Sequence, residues 1–369
     1  FFSTGHMSGK DKGPAVLCQS AIRSHTWNAP TSHVALVPNN KDIVVYEAAG
    51  DDCTQWKALH TLSNHDQKVL GVHWDPNTNR ILSCSEDRTA YVWEFSNGKW
   101  DPKVVHLGSA INRAVLCCSW SPDGTRFAVG TGAKLVCVCY FEEEHNWWVG
   151  KAIKHHQSSI TALAWHPMHS GLLATCSTDQ HVRLFSAYLK EMDKGENFGK
   201  FGTLLREIPA KAWVRDCKWS PDGAVLAFVA HDATLTTVDI TDDYRTETVK
   251  TRLLPFNSIA FPTTTTIIAA CNDCFLYAFT KSGTSWTLSG KLRSDAGVEK
   301  KTSSVSLARA KFQLEANMGQ ATAVDKLESK HQNVISELQV KQAGDDWVVS
   351  SSGYDGQIYL WRPKDVMPL

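Results

Sequence analysis

The stretch "CCSWSPDGTRFAVG", Cys117–Gly130, is written again ninety-nine residues later as "DCKWSPDGAVLAFV", Asp216–Val229. Each copy is an apolar run, then Trp-Ser-Pro-Asp-Gly, then a second apolar run. Pro122 fixes its backbone for the second position of a β-turn, Asp123 bonds the backbone that follows it, and Gly124 accepts a positive φ at no steric cost. Cys117, Ser119, Phe127 and Val129 are the small, aromatic and β-branched residues of a half-buried hairpin. The unit is strand, tight turn, strand.

A unit that recurs fixes the architecture through its period. Looser copies are "GVHWDPNTNRILSCS" from Gly71, "ALAWHPMHSGLLATCS" from Ala162, "SIAFPTTTTIIAAC" from Ser258 and a degenerate "SHVALVPNNKDIVVYE" from Ser32. Trp74, Trp120, Trp165, Trp219 and Phe261 stand 46, 45, 54 and 42 residues apart, close to the roughly 40–45 residues of a four-stranded propeller blade. A second register runs beside the first. Six residues separate Asp87 from Trp93, Asp179 from Phe185, Asp273 from Phe279 and Asp355 from Trp361. Asp232 and Val238 keep the spacing with a smaller residue, Asn40 and Tyr46 keep it with Asn for Asp, and the copy at Cys117 lacks the Asp.

These residues resemble the WD-repeat family, whose blades place an Asp in a turn before a strand that ends in Trp-Asp, and a His at the blade entrance. His65, His156 and His331 precede Asp87, Asp179 and Asp355 by 22, 23 and 24 residues. The literal Trp-Asp is absent from the strand ends, where "YVWEF" and "IYLWRP" stand instead. The resemblance implies an all-β, seven-bladed propeller over residues 16–363, with blades near 21–55, 56–103, 104–150, 151–205, 206–250, 251–290 and 330–363. Val16 and Leu17 are expected to supply an outer strand that closes the ring against the last blade. Residues 364–369 are expected to be a tail, and residues 1–15 an N-terminal segment in which Gly-His-Met before Ser8 reads as a cloning scar.

Lys+Arg and Asp+Glu both number 38, so the net charge is zero and no global field favours nucleic acid or an anionic membrane. No apolar run reaches bilayer length. Eleven cysteines without an export signal fit free thiols in a reducing cytoplasmic compartment, where Cys84, Cys117, Cys137, Cys139, Cys176 and Cys217 act as small hydrophobes within strands.

Two segments exceed the period. Residues 190–202, "KEMDKGENFGKFG", are expected to form a solvated loop. Residues 292–330 are rich in helix formers and hold one aromatic residue, Phe312. Ser303 or Ser304 caps a helix starting near Val305, with Gly319 as a stop. Val305, Ala308, Phe312 and Ala316 form one helical stripe, and Leu307, Ala310, Leu314 and Met318 form the opposite one. The segment reads either as an unstructured loop or as an amphipathic helix that docks in another protein's groove.

Catalytic and metal signals are weak. Cys271 and Cys274 form "CNDC", but no second ligand pair lies near and the positions are explained as a strand end and an Asp turn. His166 and His169 occupy an inter-strand turn. No nucleophile elbow, phosphate loop or paired-carboxylate motif emerges, and no cofactor is expected. Trp147 and Trp148 beside Glu142, Glu143 and Glu144 are either an aromatic contact surface or, as the favoured reading, a hairpin between blades with one Trp packed and one half exposed.

The stretches "SHTWNAPTSHVALVPNNKDIVVYE", "WKALHTLSNHDQKVLGVHWDPNTNRILSCSEDRTAYVW", "INRAVLCCSWSPDGTRFAVGTGAKLVCVCYFEEEHNWWVGKAIK" and "ARAKFQ" are together similar to the propeller subunits of the actin-related complex that nucleates branched actin filaments. That resemblance covers nearly the whole chain from His25 and implies a non-catalytic scaffold of the actin cytoskeleton. Its implied partners are two actin-related subunits, small helical subunits and the actin filament. It places the filament contact in the late insert, at Val305, Leu307, Ala308, Arg309, Phe312 and Leu314, with Phe312 as anchor. A propeller adaptor of a ubiquitin ligase or a chromatin assembly is the alternative.

Overall fold

The computed structural model describes residues 20–50, 53–190, 192–193, 198–292, 329–343 and 346–368. Seven blades of antiparallel strands stand around one axis. Their innermost strands are Ser24–Trp27, Val69–Trp74, Val115–Trp120, Ile160–His166, Val214–Trp219, Phe256–Thr263 and Ile335–Ala343. Each of these strands touches the next, and the first touches the last, so the ring is closed. The chain is a seven-bladed β-propeller.

The repeated turn explains how blades join. In the third blade Ser121 Oγ donates to Asp123 Oδ1 at 2.5 Å, and the Gly124 N–H reaches the Ser121 carbonyl at 3.0 Å. Ser220, Asp222 and Gly223 repeat this geometry in the fifth. Gly124 has φ +67°, and a Cβ there would lie 2.5 Å from Asp75 Oδ1 of the second blade. A Cβ on Gly223 would collide with the His166 ring of the fourth blade. Glycine is therefore required twice over, by its φ and by the neighbouring turn seated on it. The Trp before the turn fastens the same joint: the Trp165 and Trp219 indole N–H groups donate to the carbonyls of Ser119 and Ala164 in the preceding blades, at 3.0 and 3.1 Å.

Blade contents differ from the sequence units in three places. The strand Lys57–Ser63 pairs with Asp42–Glu47 and completes the first blade, although the second unit was expected to begin at 56. The first-blade counterpart of the Trp turn is Trp27–Val34, one hairpin earlier than the degenerate copy quoted above, which instead spans the second and third strands. The supposed tail contributes a strand, Val366–Pro368, that pairs antiparallel with Ser285–Leu292 as a fifth strand of the sixth blade. An outer-strand role for Val16 and Leu17 lies outside the described residues. Among those that are described, the bonds that join the first and last blades include the Ile22 N–H donating to the Gly353 carbonyl at 3.0 Å, Ser336 Oγ donating to the Ile22 carbonyl at 2.7 Å, Ser24 Oγ donating to Glu337 at 2.7 Å and the Trp27 indole N–H donating to Ser350 Oγ at 2.9 Å.

The second and third blades share one eight-stranded sheet, because their outermost strands, Lys99–His106 and Trp147–Ile153, pair in parallel at Val105 with Trp148 and at His106 with Val149. Trp148 is buried beneath Trp120, Phe127 and Phe141, while Trp147 is 46% exposed between the rings of His106 and His145. The hairpin carrying them lies within the third blade rather than between blades, and its two tryptophans divide as expected.

Residues 190–202 are not simply solvated. Asp193 accepts from the guanidinium of Arg126, whose side chain is 1% exposed, and Phe198 packs on His169 and Gly171 of the fourth blade. Its described residues strap blade four to blade three through Asp193 and reach the fourth blade's surface at Phe198.

Candidate interaction surface

The blade-entrance residues form hydrogen-bonded relays. In the second blade the Trp93 indole N–H donates to Ser83 Oγ at 2.9 Å, Ser83 donates to His65 Nε2 at 2.8 Å, and His65 Nδ1–H donates to Asp87 at 2.9 Å. The seventh blade repeats it through Trp361, Ser351, His331 and Asp355 at 2.8, 2.7 and 3.0 Å. In the fourth blade Phe185 has no N–H to give. Arg183 enters instead, donating to both His156 Nδ1 and Asp179 Oδ2. Asp232 and Asp273 hold their turns differently, by accepting from Thr234 Oγ1 at 2.6 Å and from the Tyr277 hydroxyl at 2.7 Å. Phe279 and Val238 are fully buried as the corresponding blade-core residues.

Burial sets the electrostatics of the second- and fourth-blade relays. Burial pushes the His65 imidazole below its ordinary value despite the Asp87 carboxylate, and pushes His156 down to about 4 despite Asp179. The Asp87 carboxyl is raised by burial, but hydrogen bonds from Thr89 and the contact with His65 outweigh this and leave it below the usual range. In all three relays both ring nitrogens of the histidine are already engaged in hydrogen bonds.

Cys271 ends a buried strand and Cys274 occupies a left-handed turn position at φ +69°. Among the described residues no three His, Cys, Asp or Glu side chains converge as a metal site, and no helix is long and apolar enough to cross a membrane. Burial raises the Cys271 thiol to about 12, leaving it a poor nucleophile.

Surface apolar residues carry more information. Leu59, Phe95, Val104, Trp147 and Met168 are exposed large hydrophobics of the first four blades. Leu59 and Phe95 border a groove of about 470 Å³ between blades one and two, with Trp74 and Trp100 in its wall. A second, more polar hollow of about 510 Å³ follows between blades two and three. It is occupied at its rim by ion-paired Lys103 and Glu94 and by Arg80, whose partner is the buried Asp75. The repeat pattern gave no sign of these grooves, since their walls join residues from two blades. The proposed anchor residues Val305, Leu307, Ala308, Arg309, Phe312 and Leu314 lie outside the described residues.

A closed ring of seven blades whose entrance His and turn Asp form hydrogen-bonded relays defines a WD-repeat propeller. A family model described as WD domain, G-beta repeat matches residues 56–94, 103–138 and 148–186. Each match begins at an outermost strand of one blade and runs into the next, as the placement of Lys57–Ser63 requires. The chain is 37% identical over 360 residues to actin-related protein 2/3 complex subunit 1A of Arabidopsis thaliana, covering 92% of this chain and 94% of that protein. It is 36% identical to subunit 1A-B of Xenopus laevis, with 93% and 94% covered, and 31% identical to subunit 1 of Saccharomyces cerevisiae, with 96% and 98% covered. The chain belongs to the actin-related protein 2/3 complex subunit 1 family.

Proposed function

We propose that this chain is a non-catalytic scaffold subunit of the complex that nucleates branched actin filaments. Its partners there are the two actin-related subunits and the small helical subunits of the same assembly, in the cytoplasm at the actin cytoskeleton. The observation that carries this reading is end-to-end similarity to subunit 1 relatives from plant, animal and yeast. The closed propeller supports it physically. Blades locked by buried relays and turn-on-turn contacts present rigid side surfaces on which several partners can dock without a folding cost.

The late insert is the proposed contact with the mother filament, with Phe312 as its anchor. An aromatic side chain central to an interface commonly accounts for roughly 1–3 kcal/mol on truncation. Affinity purification of the tagged chain from its native cytosol, with mass-spectrometric stoichiometry, tests complex membership: both actin-related proteins should be recovered in equimolar amounts. Recovery with ubiquitin-ligase or chromatin subunits instead would overturn it. Within the purified complex, Phe312→Ala should leave assembly intact and weaken binding to the filament side. Unchanged filament affinity and branch density would remove the insert from the mechanism.

A further inference from the structure

The groove between blades one and two has a counterpart within the same molecule that is already filled. Trp27 faces Val34 in the first blade as Trp165 faces Leu173 in the fourth, so Ser32 holds the place of Gly171. The outermost strands carry the same irregularity: pairing steps from His60 to Ala58 opposite Val45 and Tyr46, and from Arg206 to Leu204 opposite Leu184 and Phe185. Leu59 and Leu205 are thus equivalent β-bulge residues, and a bulge re-aims its side chain relative to a regular strand. Both Leu59 and its neighbour His60 line the groove as a result.

In the fourth blade the equivalent position is covered. Phe198, from the strap, has Cδ2 3.3 Å from where a Cβ on Gly171 would lie, and it packs with Leu205 against the joint core of blades four and five. In the first blade none of the described residues covers the site. Leu59 is 38% and Phe95 39% exposed, no Asp, Glu, Lys or Arg lines the groove, and the Trp100 indole N–H in its wall has no acceptor among the described residues.

We infer that the groove between blades one and two binds an aromatic side chain carried on an extended, uncharged segment of another polypeptide, taking the place that Phe198 fills in the fourth blade. The apolar walls receive the ring, and the lack of lining charge excludes ionic segments, which would lose hydration without a partner. This surface uses none of the late-insert residues and does not depend on which assembly the chain joins.

The test uses the complete chain and a displayed library of twelve-residue peptides. Selected peptides should share one Phe or Trp between neutral residues. In fluorescence anisotropy they should lose at least about tenfold in affinity when that residue becomes Ala, and again against Leu59→Glu or Phe95→Ser, with Phe198→Gly as a control that leaves binding unchanged. Both altered positions are partly exposed, and an unaltered melting temperature shows that each variant is folded. Failure to select binders, selection of charged peptides without an aromatic, equal binding to Leu59→Glu, or loss of binding only in Phe198→Gly would each overturn the assignment.

Discussion

Arg126 in the third blade and Asp193 in the strap of the fourth meet through two bonds, with Nη1 2.9 Å from Oδ2 and Nη2 2.5 Å from Oδ1. The same guanidinium donates to the Ala187 carbonyl at 3.0 Å, and Asp193 Oδ2 accepts the Leu189 N–H at 2.7 Å. A fork this well satisfied holds the strap across two blades and places Phe198 on its groove.

Removing one partner leaves the other charge buried. Asp193→Ala should destabilise the chain by roughly 3–5 kcal/mol, read as a lower urea midpoint, and should open residues 190–202 to proteolysis before the blades unfold. Arg126 replaced together with Asp193 by apolar residues of similar volume should cost much less than the single change.

Acid should weaken the ring. His156 and His25 have folded values of about 4 and 3, set first by burial, against an ordinary 6.5. For both, the unfolded state binds more protons between these values, so stability is full above about pH 6.5 and declines as pH falls towards the folded values. Asp179, held low by bonds from Gln157 and Arg183 that outweigh its burial, acts in the same direction at still lower pH. The His156 contribution amounts to at most about 3 kcal/mol. Urea midpoints across pH 7 to about 4 should fall steadily, and His156→Gln should flatten that slope.

Ser83 serves two donors or acceptors at once, the Trp93 indole and the His65 ring, and it is fully buried. Ser83→Ala orphans both, at about 1–3 kcal/mol for each unsatisfied group. Ser351→Ala in the seventh blade should match it, whereas Thr175→Ser in the fourth, where the Thr175 hydroxyl meets His156 Nε2 at 2.7 Å and the hydroxyl is kept, should cost only about 1 kcal/mol for the lost buried methyl.

The strand Val366–Pro368 covers the edge of Ser285–Leu292, with Leu292 facing Val366 and Gly290 facing Pro368. A chain ending at Arg362 should show amide exchange at residues 290–292 faster by roughly tenfold or more, and should self-associate through the bared edge. Unchanged exchange would mean that the terminal strand contributes nothing to the sheet.

The inner hairpins were legible because one turn chemistry recurs: Trp120 to Gly124 and Trp219 to Gly223 obey the same local constraints wherever they stand. The relays were legible because His65 and Asp87, His156 and Asp179, and His331 and Asp355 keep a nearly constant spacing of 22 to 24 residues. What joins blades was hidden. Asp75 under Gly124, Arg126 on Asp193 and the parallel meeting of Val105 with Trp148 are set by ring closure and leave no local pattern. The terminal strand was hidden for a related reason, since three residues are too few to show alternation and act only by completing an edge. The groove at Leu59 depends on a bulge, a one-residue slip that no periodicity can announce.

The parallel pairing of Lys99–His106 with Trp147–Ile153 also alters how the ring carries load. Among the described residues no other pair of neighbouring blades is merged into one sheet. Blades two and three are riveted at the rim, so they lean together as one plate. A partner pulling on the far edge of either blade therefore pulls on both.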